Sequence, residues 1–200
     1  MINKCNIIIS SALRALQILF AVVVLGLSVT LVKDHNNHGG YGDAGWSSVP
    51  TILPLAAGIG AISLAAAILS LAIAWTNFLR EYIEMLVDVV VIVVNIVGGT
   101  IIAIKLKGAS CSDSSDENRL GRTGKYPYGG GLASIDLLNG GCYKSDDDSG
   151  CLNAAAEFQY KLNQRCMQSQ ADSVFMFLTV VVLFGTLALT FLRLKSDRHY

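Results

Sequence analysis

Two groups of side chains in this 200-residue chain have types and spacings that could do chemistry. The first is a set of polar residues embedded in long apolar runs. Arg14 and Gln17 lie in one run, and Glu84, Asp88 and Asn95 lie in another. Offsets of four and seven put Glu84, Asp88 and Asn95 on one helical face, and Gly99 continues that stripe. Ionisable groups at membrane depth are costly and normally face a protein interior. If both termini lie on one side, Arg14 and Asp88 sit at similar depth, which predicts an Arg14–Asp88 ion pair with Glu84 as a competing partner. Such a pair lowers the cost of burying either charge and fixes helix register. The same groups could serve ion or proton transport. They are few and mostly confined to the half nearest the termini, which favours the structural role.

The second group is the cysteines. Cys111, Cys142, Cys151 and Cys166 all fall in the longest polar stretch. An even set in one segment reads as two disulfides if that segment is extracytoplasmic. Three pairings are possible. One of them, Cys111–Cys166 with Cys142–Cys151, would tie two apolar runs together and close a short inner loop. A cytosolic zinc site is the rival, but the usual C-x₂₋₄-C pair is absent. Cys5 stands apart before the first run, where it is either a palmitoylation site or an idle thiol.

Other groups carry less. His35 and His38 sit in a Gly-rich segment without a third metal ligand, and Asp146-Asp147-Asp148 reads as a solvated acidic turn. No nucleophile elbow, H-E-x-x-H, P-loop or dinucleotide fingerprint occurs, so neither an enzyme nor a cofactor is expected. There is no N-x-S/T sequon. The formal net charge of zero gives no basis for nucleic-acid binding.

The elements that must hold these residues follow from hydropathy. The chain is 52% hydrophobic. A span needs ~20 apolar residues, and four runs suffice, at about 7–32, 52–75, 83–106 and 171–192. The fold class expected is an all-α membrane protein: one domain over residues 1–200, a four-transmembrane-helix bundle with loops at 33–51 and 107–170. The first run is too long for a signal sequence, and no A-x-A-like cleavage site follows it. Positive charges near the span ends lean weakly toward cytosolic termini. A disulfide-braced 107–170 loop would then be extracytoplasmic. The short link at 76–81 makes the second and third helices an antiparallel hairpin. Tyr41 and Trp46 suit the membrane interface. Residues 152–170 read as an outer helix leading into the fourth span, with Ala155, Gln159, Leu162 and Cys166 on one face. Ala57, Ala61 and Ala65 form a small-xxx-small ridge that suits close packing, either within this bundle or with a second copy, and Gly98-Gly99 plays the same part on the third helix.

With the spans placed, several segments resemble the MARVEL-domain family of fungi. They are Ala12-Leu13-Arg14-Ala15-Leu16-Gln17 with the apolar run ending Val24-Leu25-Gly26-Leu27-Ser28; Glu84 and Asp88 followed by Gly98-Gly99 and Cys111-Ser112; and Arg165-Cys166 leading through Gln168, Ala171 and Asp172 to Phe175. The likeness covers about residues 10–193. It implies a tetraspan with cytosolic termini that takes part in membrane apposition, lipid-domain organisation or vesicle traffic. It is similar to the non-classical export and eisosome-associated members, differing in its longer loop with Cys142 and Cys151 and in lacking a long C-terminal tail. The partners this implies are membrane lipids, with sphingolipids or sterols among them, and other membrane proteins or a second copy.

The function expected is therefore non-enzymatic organisation of plasma-membrane domains or traffic by lateral association. Long spans mildly favour the plasma membrane. A channel, transporter or accessory subunit built on Arg14, Glu84, Asp88 and Asn95 is the alternative. A claudin-like adhesion tetraspan ranks third, because Trp46 stands alone in the first loop without paired cysteines.

Overall fold

The structure, a computed structural model, describes residues 2–38, 52–76, 81–113, 115, 118, 132, 135, 137–138 and 155–197. Among these the long elements are four α-helices: α1 (Ile2–His38), α2 (Ile52–Thr76), α3 (Glu81–Lys105) and α4 (Ala155–Asp197). Each contains a stretch long and apolar enough to cross a membrane, at Ile8–Lys33, Ile52–Ala72, Glu84–Lys105 and Lys161–Leu192. Helices are what a spanning chain must form, because lipid offers no partners to backbone N–H and C=O groups. Pro54 is tolerated in the first turn of α2, where its missing N–H would have had no intrahelical partner.

Two helices outrun their apolar runs. Residues 33–38 continue α1 instead of opening a loop, and the outer helix and fourth span are one unbroken rod. Extending an existing helix adds one hydrogen bond per residue fixed, so it does not stop merely because hydropathy falls. At 1.5 Å per residue the 32-residue apolar stretch of α4 is about 48 Å long, well beyond a hydrocarbon core of ~30 Å. That length is enough for its first turns to stand beyond the bilayer. α3 stops at Lys105, and Gly108, with φ +84°, takes the left-handed conformation that turns the chain toward Cys111.

The bundle is apolar outside and holds polar side chains within its largely apolar core. Leu86, Val181 and Ile104 are among many large apolar side chains turned outward, while Arg14, Gln17, Ser28, Ser63, Asp88, Asn95 and Asp172 are buried. That inversion suits a bilayer, where the outer faces meet lipid.

Glycines set how closely the helices approach. A Cβ on Gly60 would lie 2.9 Å from the backbone nitrogen of Leu25, so α1 and α2 pack with main chain against main chain. A Cβ on Gly98 would collide with Ile59 Cδ1 of α2 and come within 3.2 Å of Met176 of α4. At Gly99 it would lie 3.2 Å from the Phe177 ring. Small residues thus act where the sequence points on α3. On α2 the ridge is different: Ala57 is half-buried, and Ala61 and Ala65 face outward. The buried face of α2 instead carries Leu53, Ala56, Ile59, Gly60, Ser63, Ala67 and Ser70. The composition of α2 is small all round, so sequence spacing does not distinguish its inner stripe from its outer one.

At the end away from the termini, Leu132, Leu137 and Leu138 pack against Cys111, Leu162 and Cys166 and form a cap continuous with the bundle core. Cys111 and Cys166 form a disulfide with Cα atoms 5.3 Å apart. The Asn163 side chain also donates to the carbonyls of Cys111 and Asp113, at 3.1 and 3.0 Å. Cys142, Cys151, Tyr41, Trp46 and Asp146–Asp148 lie outside the described residues, as do the side chains of Cys5, His35 and His38.

Candidate functional site

Three helices meet at Arg14. Its position two turns into the apolar part of α1 gives the guanidinium no water to turn to, and its side chain is 2% exposed. Nη1 donates to Asp88 Oδ1 at 2.7 Å and Nη2 donates to Asp88 Oδ2 at 2.6 Å. This is the two-pronged fork geometry that makes arginine–carboxylate pairs strong and oriented. Nη1 also donates to Gln17 Oε1 at 2.8 Å, one turn along α1. Nη2 also donates to Glu84 Oε1 at 2.8 Å. From α4, the Thr186 hydroxyl lies 3.3 Å from Asp88 Oδ2 and 2.8 Å from the Leu183 carbonyl.

Glu84 therefore shares the guanidinium with Asp88 and does not compete for it. An (i, i+4) pair on α3 places both carboxylates on the same face, and the fork has enough N–H groups for both. Their environments differ: the Asp88 side chain is 1% exposed and that of Glu84 is 17% exposed. One guanidinium facing two carboxylates leaves an excess formal negative charge, and the more accessible Glu84 sits where water can screen it.

Asn95 does not join this cluster. Seven residues place it about 10 Å along α3 from Asp88, and there its amide donates to Ser63 Oγ of α2 and to the Val91 carbonyl, both at 2.8 Å. It ties α3 to α2, a contact the single-face pattern of α3 does not reveal.

A third polar layer lies nearer the disulfide. Ser28 of α1 donates to Asp172 Oδ2 of α4 at 2.8 Å, and Ser173 donates to the Gly99 carbonyl at 3.0 Å. Phe20 and Phe175 form a tilted ring pair, 5.6 Å between centroids, on the same pair of helices as Ser28 and Asp172. Buried polar groups thus occupy both halves of the bundle, not mainly the half nearest the termini. Sequence reading missed this because Asp172 falls at the start of the expected fourth span, where a carboxylate reads as an interfacial residue. The signal that could have found it is the outer-helix pattern, which makes α4 continuous and carries position 172 inside.

The cluster can do two things chemically. It can lock the register of α1, α3 and α4 through oriented charge-assisted bonds, and it can hold charge at depth. Among the described residues no group of three or more His, Cys, Asp or Glu side chains forms a metal-binding constellation.

A bundle of four membrane-length helices, apolar outside and with polar groups set in its core, with a disulfide at one end, defines an integral membrane tetraspan. Residues 7–189 match the MARVEL family, described as a membrane-associating domain, and the chain belongs to that family. No curated protein and no solved structure matches it.

Proposed function

We propose that this chain is a non-enzymatic organiser of membrane domains or membrane traffic, working by lateral association with lipids and other membrane proteins. The observation that carries the reading is that apolar side chains face outward along all four helices, while Arg14, Glu84 and Asp88 bond one another within. Faces of that kind contact acyl chains and neighbouring spans, and the outward Ala61 and Ala65 allow close approach of a second helix. In this reading the termini are cytosolic, the disulfide-braced cap is extracytoplasmic, and the plasma membrane is the site of action. Sphingolipids or sterols are the lipid class, and the export and eisosome-associated members of the family are functional analogues. The test is single-molecule tracking and cross-linking of the tagged protein in living cells. Confinement in domains with recurrent neighbours is expected; a monomer diffusing evenly through the membrane refutes the reading.

Polar side chains at three depths favour a second reading, transport or an accessory role in it. Liposome flux that is present in the wild type and lost in Asp88→Asn would establish it.

A further inference from the structure

Asp172 is buried differently from Asp88. Its residue is 1% exposed, deep in α4, and no basic side chain bonds to it among the described residues. Ser28 satisfies Oδ2, whereas Oδ1 has no hydrogen-bond partner. Two more buried oxygens on the same stripe are also without partners: Ser169 Oγ, three residues earlier, and Gln168 Oε1, four residues earlier. Offsets of three and four stack side chains on one helical face. Three buried oxygens on one stripe thus go without a partner, and the basic residue of that face, Arg165, two turns earlier, donates to the cap and not to Asp172.

We propose that Asp172, Ser169 and Gln168 form a buried site for one small monovalent cation, a proton or an alkali ion of sodium's size. An ionised carboxylate stripped of water is costly unless a positive charge accompanies it. Oxygen ligands of carboxylate, hydroxyl and amide type are what hard cations take, and a proton on Oδ1 removes the charge that burial makes costly. The surroundings supply no substitute. From α1 the facing group is the neutral Ser28, and Lys33, five residues on, is exposed. From α3 the neighbouring group is the Gly99 carbonyl, held by Ser173, and Lys105 is exposed. On α4 itself Arg165 lies two turns away and donates to the Leu138 carbonyl in the cap. Leu132, Leu137 and Leu138 of the cap are apolar. The site lies at the contact between α1 and α4, so its occupancy would set how firmly those helices join. The inference is independent of the membrane-organiser reading.

The test is thermal unfolding of the full-length protein in lipid nanodiscs. It is titrated once with pH in choline buffer and once with sodium chloride at fixed pH against choline chloride. A ligand that binds only the folded state raises the unfolding temperature. The wild type should gain stability in one of the two titrations, and Asp172→Asn, whose amide brings its own N–H donors and no charge, should lose that component. A shift with pH alone assigns a proton; a shift with sodium at fixed pH assigns the alkali ion. Ser169→Ala and Gln168→Leu keep the carboxylate and should move the titration midpoint several-fold, which preserves the test should Asp172→Asn not fold. Equal curves for wild type and Asp172→Asn in both titrations, or unmoved midpoints in Ser169→Ala and Gln168→Leu, overturn the proposal and leave a buried water as the donor.

Discussion

Asp88→Asn should destabilise the bundle strongly, and the size of the loss can be worked from the contacts of Arg14. Asp88 accepts two of the four bonds that Nη1 and Nη2 donate. Hydrogen bonds to charged groups contribute about 1.5–3 kcal/mol each, so two correspond to roughly 3–6 kcal/mol. Breaking a buried pair by removing one partner costs about 3–5 kcal/mol, which falls within the same range. Glu84 remains bonded to Nη2, so the arginine keeps one anionic partner and the expected loss lies near the lower end, about 3 kcal/mol. Glu84→Gln removes the more exposed partner and should cost about 1 kcal/mol or less. The triple replacement Arg14→Met, Glu84→Gln and Asp88→Leu should recover most of the loss, because no buried charge is then left unpaired. Unfolding in mixed micelles at increasing denaturing-detergent fraction, followed by circular dichroism, ranks the three. If Asp88→Asn costs no more than Glu84→Gln, the arginine is not held mainly by Asp88 and the reasoning fails.

Four further outcomes follow from the packing and its cross-links. Gly60→Ala should destabilise by about 1–3 kcal/mol, because its Cβ meets Leu25 backbone that has nowhere to move. Gly58→Ala, with nothing within 4 Å of the added carbon, should be neutral or stabilising by up to about 1 kcal/mol in the same unfolding assay. Cys111→Ser should lower stability by about 2–4 kcal/mol, since the disulfide closes a separation of 55 residues; non-reducing unfolding curves that match the wild type would argue against that constraint. Asn95→Leu should weaken the α2–α3 contact by about 1 kcal/mol, the size of an interhelical hydrogen bond in a membrane, and Ser63→Ala should add little on top of it.

The chain by itself determines a great deal here. The apolar runs dictate four helices, because lipid leaves the backbone no other way to satisfy its hydrogen bonds. An arginine and two carboxylates inside such runs must turn inward, so their involvement with one another is legible from depth and spacing alone. What spacing cannot supply is the partition of the contacts. That Glu84 shares the guanidinium, and that Asn95 reaches across to Ser63 on α2, depend on how the helices rotate about their axes. Helix rotation is set by side-chain shape, chiefly the Gly60–Leu25 and Gly98–Ile59 approaches, and not by the hydropathy of any one helix. The same reason hides the inner face of α2, where small residues occur on every side. Asp172 was hidden by length: only when the outer helix and the fourth span are seen as one rod does its carboxylate fall inside the bundle, bonded to Ser28 and otherwise alone. Hydropathy along one chain decides what crosses the membrane, and the packing of four rods against one another decides which polar groups meet.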